Sequence, residues 1–293
     1  SLATPHRGIG EVTVTRQHAH KSPASIYLSL TLVAALGVTV TATTAAQQTK
    51  SLSDNETFTA DASNTSKTTR FDASTRSGIE LRVGRNLVSN SETPIVFSQA
   101  KSSIVRILSD GELKTTGNQL AVNYIGGSSL TLQNDGRIIS QLTAIDADNA
   151  DNLKIANRQN AVISSNAQSI SVNRATAKIT NAGMIHSENN SAITNDDIAS
   201  TDLANTGKIT GREETIFLKF SENSTVTNSG TIESKNDTAI RFGSENSPGP
   251  DFRPAGFQLA NSGIIKATGT YAIRGSYAED AFIANTADGI IEA

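Results

Sequence analysis

Apolar and polar positions alternate in short runs along most of this chain, and the runs recur. Val226-Thr227-Asn228, Thr231-Ile232-Glu233 and Ala239-Ile240-Arg241 each alternate with a period of two, the pattern of a strand with one face turned inward. Gly230 stands at a corner between the first two. The same arrangement returns as Asn134-x-Gly136-x-Ile138 with Ala144-Ile145, as Asn181-x-Gly183-x-Ile185 with Ala192-Ile193, as Asn205-x-Gly207-x-Ile209 with Thr215-Ile216, and as Asn261-x-Gly263-x-Ile265 with Ala272-Ile273. Weaker copies lead from Asp110-Gly111-x-Leu113 to Leu120 and from Asn157 and Val162 to Ile170. Marked by their last apolar residue, the copies fall at Ile95, Leu120, Ile145, Ile170, Ile193, Ile216, Ile240 and Ile273, in steps of 25, 25, 25, 23, 23, 24 and 33 residues. A period in the low twenties predicts a solenoid.

One such copy cannot bury its apolar face alone, whereas stacked copies can, each strand pairing in parallel with its counterparts above and below. No run reaches helical length. The pattern therefore predicts an all-β fold, a right-handed, single-stranded parallel β-helix of about 23–25 residues per rung. The hand follows from connection chirality. The competing arrangement, a β-sandwich of short strands, would not repeat residue types at a fixed interval. Glycine after Asn-x at Gly136, Gly183, Gly207, Gly230 and Gly263 predicts either a positive φ or too little room for a Cβ. Asn134, Asn181, Asn205, Asn228 and Asn261 should stack on one corner and form an amide ladder along the axis.

Composition narrows the picture further. Aromatics make up only 4 % of the 293 residues and tryptophan is absent, which suits a core one side chain deep. Without cysteine there are no disulfides and no thiolate metal sites. A formal charge of −3 without a dense basic patch beyond residue 50 argues against nucleic acid as a partner. The first 24 residues are polar and mildly basic, Ile26 to Val40 are uncharged and mostly apolar, and Thr44-Ala45-Ala46 follows. Residues 1–46 thus read as a secretory signal, too short in its apolar part for a bilayer span. Residues 47–78 read as a leader or cap, with Phe58 and Phe71 as plugs and Ile79-Leu81-Val83 as the first strand. Rungs occupy 79–293, and the last, with Asn285, Gly289 and Ile290-Ile291, reads as one of a series that continues.

Chemistry is sparse. Asp146, Asp148, Asp196 and Asp197 fall on an edge after the Ala-Ile strands, with Glu222 and Glu245 farther on. They are weak calcium candidates, and a solvated edge is the simpler reading. No cofactor is expected. Arg241 and Arg274 follow successive strands, a thin basis for a polysaccharide-cleaving site. His186 is the single histidine beyond residue 46, so neither a histidine metal triad nor a recognisable serine triad is available. The 33-residue step holds a proline-rich loop, Gly243 to Phe257, with Phe252 and Arg253 near its tip. Aromatic and arginine side chains are enriched at interface centres, so these two are the candidate contact residues.

Val226-Thr227-Asn228-Ser229-Gly230-Thr231-Ile232 followed by Thr238-Ala239-Ile240, together with the basic leader, resembles the passenger domains of bacterial autotransporters of the type V secretion class. The resemblance covers about residues 26–46 and 95–293. It implies a right-handed β-helix exported through the periplasm, secreted or held at the cell surface, and commonly serving as an adhesin or other virulence factor. No barrel strands precede Ala293, so the outer membrane would be reached through a missing C-terminal barrel. The expected partner is a host or bacterial surface protein or glycan. A polysaccharide lyase or glycoside hydrolase on the same helix is one alternative, and a structural spacer is another.

Overall fold

The computed structural model describes residues 30–33, 39–42, 48–61, 69–196, 200–243 and 255–293, the first two segments by their backbone only. The chain divides into two units, residues 1–47 and 48–293. In the first, Leu30–Val33 pairs antiparallel with Thr39–Ala42, inside the segment read as a signal. The second is a parallel β-solenoid of about nine turns, with no helix among the described residues.

Each full turn contributes one strand to each of three parallel sheets of ten, ten and nine strands. In one turn these are Ile216–Lys219 in sheet I, Thr225–Asn228 in sheet II and Thr231–Ser234 in sheet III. At roughly 4.8 Å per turn, about nine turns give a stack roughly 43 Å long. Sheet I sets the register. Ile145, Ile170, Ile193, Ile216, Ile240 and Ile273 are successive partners, and the four from Ile170 to Ile240 are fully buried. Leu203, Val226 and Leu259 of sheet II and Ile209, Ile232 and Ile265 of sheet III close the rest of the core. The core is one side chain deep because alternation sends every second residue outward.

Three details depart from the sequence pattern. Leu120 is not the partner of Ile95; Val122 is, and Val122 also pairs with Ile145. The turn from Thr116 to Leu120 takes up the extra residues before the strand Val122–Ser128 begins. The stack also begins before Ile79. Thr49–Ser51, Thr57–Ala60 and Arg70–Asp72 already join sheets I and II. Phe71 is buried in register beneath Ile95, and Phe58 lies half-buried against it, ring centroids 5.7 Å apart. Finally, Phe257 belongs to the core and not to the loop before it. It is 3 % exposed and stacks on Phe242 at 4.0 Å, clamping the base of the 33-residue step.

The corner glycines do not take a positive φ, and crowding accounts for them instead. A Cβ on Gly207 would lie well inside contact distance of the Gly183 carbonyl oxygen, and one on Gly230 would meet that of Gly207. Left-handed backbone occurs at a different corner, where sheet I passes to sheet II. Gln99, Gly126 and Asn149 have φ of 56°, 57° and 54° in consecutive turns, and Ser102, Ser129 and Asn152 form a second column at 47°, 62° and 53°. In these three turns two or three left-handed residues bend the chain from one sheet to the next, mostly without glycine.

Candidate functional site

The interior corner between sheets II and III is occupied by structure. Nδ2 of Asn134 donates to Oδ1 of Asn157 at 2.8 Å, and the relay continues through Asn181, Asn205, Asn228 and Asn261 to Asn285 without a break. Each amide from Asn134 to Asn261 also donates to a carbonyl of the following turn, as Asn205 does to Thr231 at 3.2 Å. Oδ1 of Asn134 is the buried end of the ladder and has no donor, since its neighbour in register is Ile107. Asn157 and Asn285 lack a glycine two residues on, which is why the Asn-x-Gly pattern misses them. A second buried column, Thr115, Ser140, Ser165, Ser187 and Ser234, lies at the ends of the sheet III strands. Its hydroxyls bond to one another or to turn carbonyls, for example Thr115 with Ser140 at 3.0 Å and Ser234 donating to the Glu213 carbonyl at 2.6 Å. Stacked polar side chains such as the asparagines hold register, and the hydroxyl column, interrupted by Gly211, is likewise used internally; neither presents anything to a ligand.

The other candidate residues fall on outer faces. Asp146 and Asp148 do not sit on a corner but on the outward side of the strand Ile145–Asp151. Asp148 accepts hydrogen bonds from Asn173 at 3.0 Å and Arg174 at 3.1 Å. Burial pushes the Asp146 carboxyl up, against a hydrogen bond from Ser171 and with the help of the Asp148 charge. Asp196 pairs with Lys219 at 3.3 Å. Asp197, Glu245, Phe252 and Arg253 lie outside the described residues. Arg241 and Arg274 are partners in register, but they do not form a joint cationic site. Arg241 is nearly buried, bonded to Glu214 at 2.6 Å and laid over the Phe217 ring at 5.0 Å, whereas Arg274 covers Tyr271 at 5.8 Å.

His186, on the outer face of sheet III, bridges Thr210 through Nδ1 at 2.7 Å and Glu188 through Nε2 at 2.9 Å. This hydroxyl–imidazole–carboxylate line joins neighbouring turns. The hydrogen bond from His186 and then the charge of Lys235 hold the Glu188 carboxyl below its ordinary range.

Several cavities lie on the outer faces of the described residues, and two of them bear on function. One, about 440 Å³, runs over sheet II along Lys154, Lys178, Asp202 and Thr225. Its carboxylate is already engaged, by Thr225 at 2.8 Å and Lys178 at 3.1 Å. The other, about 400 Å³, lies on sheet I. Ser171, Thr194 and Phe217, consecutive partners in register, form its floor. The turns entering sheet I supply Gln168, Asn190, Glu213 and Glu214 on one side, and Asn173 and Asp196 stand on the other. Phe217 and the flanking amides and acids share no repeated residue type, so the period does not reveal them; only strand register brings them together. The sheet I groove thus has polar groups on both flanks and an aromatic floor, and it is the stronger candidate.

Comparison of the chain with protein-family models, curated proteins and solved structures finds no significant match. Fold and geometry by themselves define a class: a parallel β-solenoid with a structurally committed interior and grooved outer faces.

Proposed function

We propose that this chain is an exported β-solenoid of the autotransporter-passenger type, standing at the bacterial surface and acting as an adhesin. One observation carries the reading: the inward polar columns are consumed by hydrogen bonds along the axis, so recognition falls to the outer faces. The stack also tolerates insertions, because after the 33-residue step Gln258–Asn261 resumes register with Thr225–Asn228. Long excursions at one corner are where solenoids commonly carry binding residues, and Phe252 and Arg253 remain candidates there. The partner would be a host or neighbouring-cell protein or glycan.

The sheet I groove supports a second reading, a glycan lyase or hydrolase, since Asp196, Glu213 and Glu214 line it together. Against this, the Glu214 and Asp196 carboxylates are already committed to ion pairs with Arg241 and Lys219. Beads coated with the full chain, presented to cultured host cells, matrix proteins and bacteria, test the adhesin reading. Saturable adhesion to at least one is expected, and no adhesion to any of them would overturn it. Antibody labelling of intact producing cells tests the location.

A further inference from the structure

The floor of the sheet I groove is an aromatic ring with one face taken. Arg241, from the turn on one side, lies over the Phe217 ring at 5.0 Å and is fixed by Glu214 at 2.6 Å, both side chains being largely buried. The cavity lies on the other side of the ring, toward Thr194 and Ser171. A pair buried to this degree is geometrically constrained, so the ring is held in place before any ligand arrives. The cavity measures about 400 Å³ and spans three turns, roughly 10 Å along the axis. That length accommodates a short oligomer.

The lining specifies the chemistry. Part of the lining is already engaged: Gln168 accepts from Thr143, Asn173 donates to Asp148, Asn190 accepts from the Ser191 N–H, and Ser171 donates to Asp146. What it still offers is the amide N–H groups of Gln168 and Asn190, the Asn173 carbonyl oxygen and the Thr194 hydroxyl, a mixed set of donors and acceptors. A ligand whose own surface carries paired hydroxyls or acetamido groups matches such a lining. The negative face of an aromatic ring attracts polarised C–H bonds, as on the flat face of a sugar. Glu213, also on the rim, has no cationic partner among the described residues, and its charge opposes acidic sugars. A polypeptide ligand would call for apolar subpockets or an unpaired strand edge. The strands here are paired on both sides, which excludes strand addition at the groove floor.

We propose that the groove floored by Ser171, Thr194 and Phe217 is a subsite for an uncharged oligosaccharide of two or three residues, stacked on Phe217. This rests on the reading of the outer faces as binding surfaces and names what one of them takes.

The test is calorimetric titration of the full chain with four trisaccharide probes. Cellotriose and tri-N-acetylchitotriose are the uncharged ones, and trigalacturonate and sialyllactose are the acidic ones. Binding of at least one uncharged probe is expected, with at least tenfold weaker or no binding of both acidic ones. Phe217→Ala should weaken the uncharged probe at least tenfold. Thr194→Arg, which fills the floor from an outward position, should abolish its binding. Circular dichroism and melting of both variants identify any that fail to fold. Tyr277→Ala, an exposed aromatic away from the groove, should bind as the parent does. Absence of uncharged-sugar binding, or binding indifferent to both groove variants in folded protein, would overturn the proposal. Shortening of the bound sugar on incubation would still place a carbohydrate in the groove. The bead assay separates the two ideas: adhesion that persists in Thr194→Arg leaves the adhesin reading standing without this subsite. Sugar binding lost in Thr194→Arg, with no adhesion in the parent, leaves the subsite standing without the adhesin.

Discussion

Single residues at the corners show two different uses of a tight turn. At the Asn-x-Gly corner the backbone φ is ordinary and the constraint is space, so any Cβ collides with a carbonyl of the preceding turn. At the corner between sheets I and II the constraint is conformation, and Ser129 is exposed with φ of 62°. The two corners should respond oppositely to small substitutions. Gly207→Ala should destabilise by about 2 kcal/mol or more, because backbone on both sides must shift. Ser129→Gly should stabilise by up to about 1 kcal/mol, by relieving a left-handed non-glycine residue. Urea denaturation of both variants checks this; a neutral Gly207→Ala would mean that the corner relaxes freely.

Among the elements, sheet I supplies burial and the asparagine ladder supplies register. Ile216 is fully buried between Ile193 and Ile240, so Ile216→Ala should cost about 2–5 kcal/mol, the range for a large-to-small core change. Ile216→Asp should unfold several turns, since a charge there has no partner. Asn205 receives the Asn181 amide and donates to Asn228, Gly207 and Thr231. Asn205→Ala should cost about 1–3 kcal/mol by leaving buried acceptors unmet. Amide hydrogen exchange should show faster opening of the turns on either side of Asn205 than of those near Ile95. Uniform exchange throughout would show that the ladder adds no local stability. The five asparagines followed by x-Gly were readable as a ladder because their type recurs at the repeat interval. Asn157 and Asn285 were not, because the signal used was the glycine beside them. The sheet I groove was not readable at all, because outward positions are free to differ from turn to turn.

For the solenoid as a whole, acid sensitivity follows from carboxylates of sheet II and one beside sheet III. Hydrogen bonds from Arg82 and Arg106 hold Glu80 below its ordinary value of 4.5, and those from Thr225 and Lys178 hold Asp202 below 3.8. Glu188 is lowered by His186. Groups depressed in the folded state stabilise it above their unfolded values, and that contribution is lost as pH falls through the lower folded values. Stability should therefore decline on acidification below about pH 4. Asp146 has the opposite sign, because burial raises it; its contribution is present at low pH and is lost as pH rises through its raised value. Asp146→Asn should accordingly raise the melting midpoint at neutral pH, with the difference shrinking below pH 3.8. Melts of parent and variant across that range test both signs, and an Asp146→Asn variant that melts lower at neutral pH would show that the carboxylate is stabilising.

The repeat alone determined the class of fold, the apolar column of sheet I and the position of the asparagine corner. These depend on recurrence in sequence, which stacking converts directly into proximity. Tertiary structure decided what recurrence does not encode. It set Val122 and not Leu120 in register with Ile95, placed the left-handed corner at residues that are seldom glycine, and began the stack at Thr49. It also gathered Ser171, Thr194, Phe217 and Glu213 into one groove. Residues more than twenty positions apart and unlike in type become neighbours only when the turns stack, because the parallel ladder aligns them whatever their chemistry.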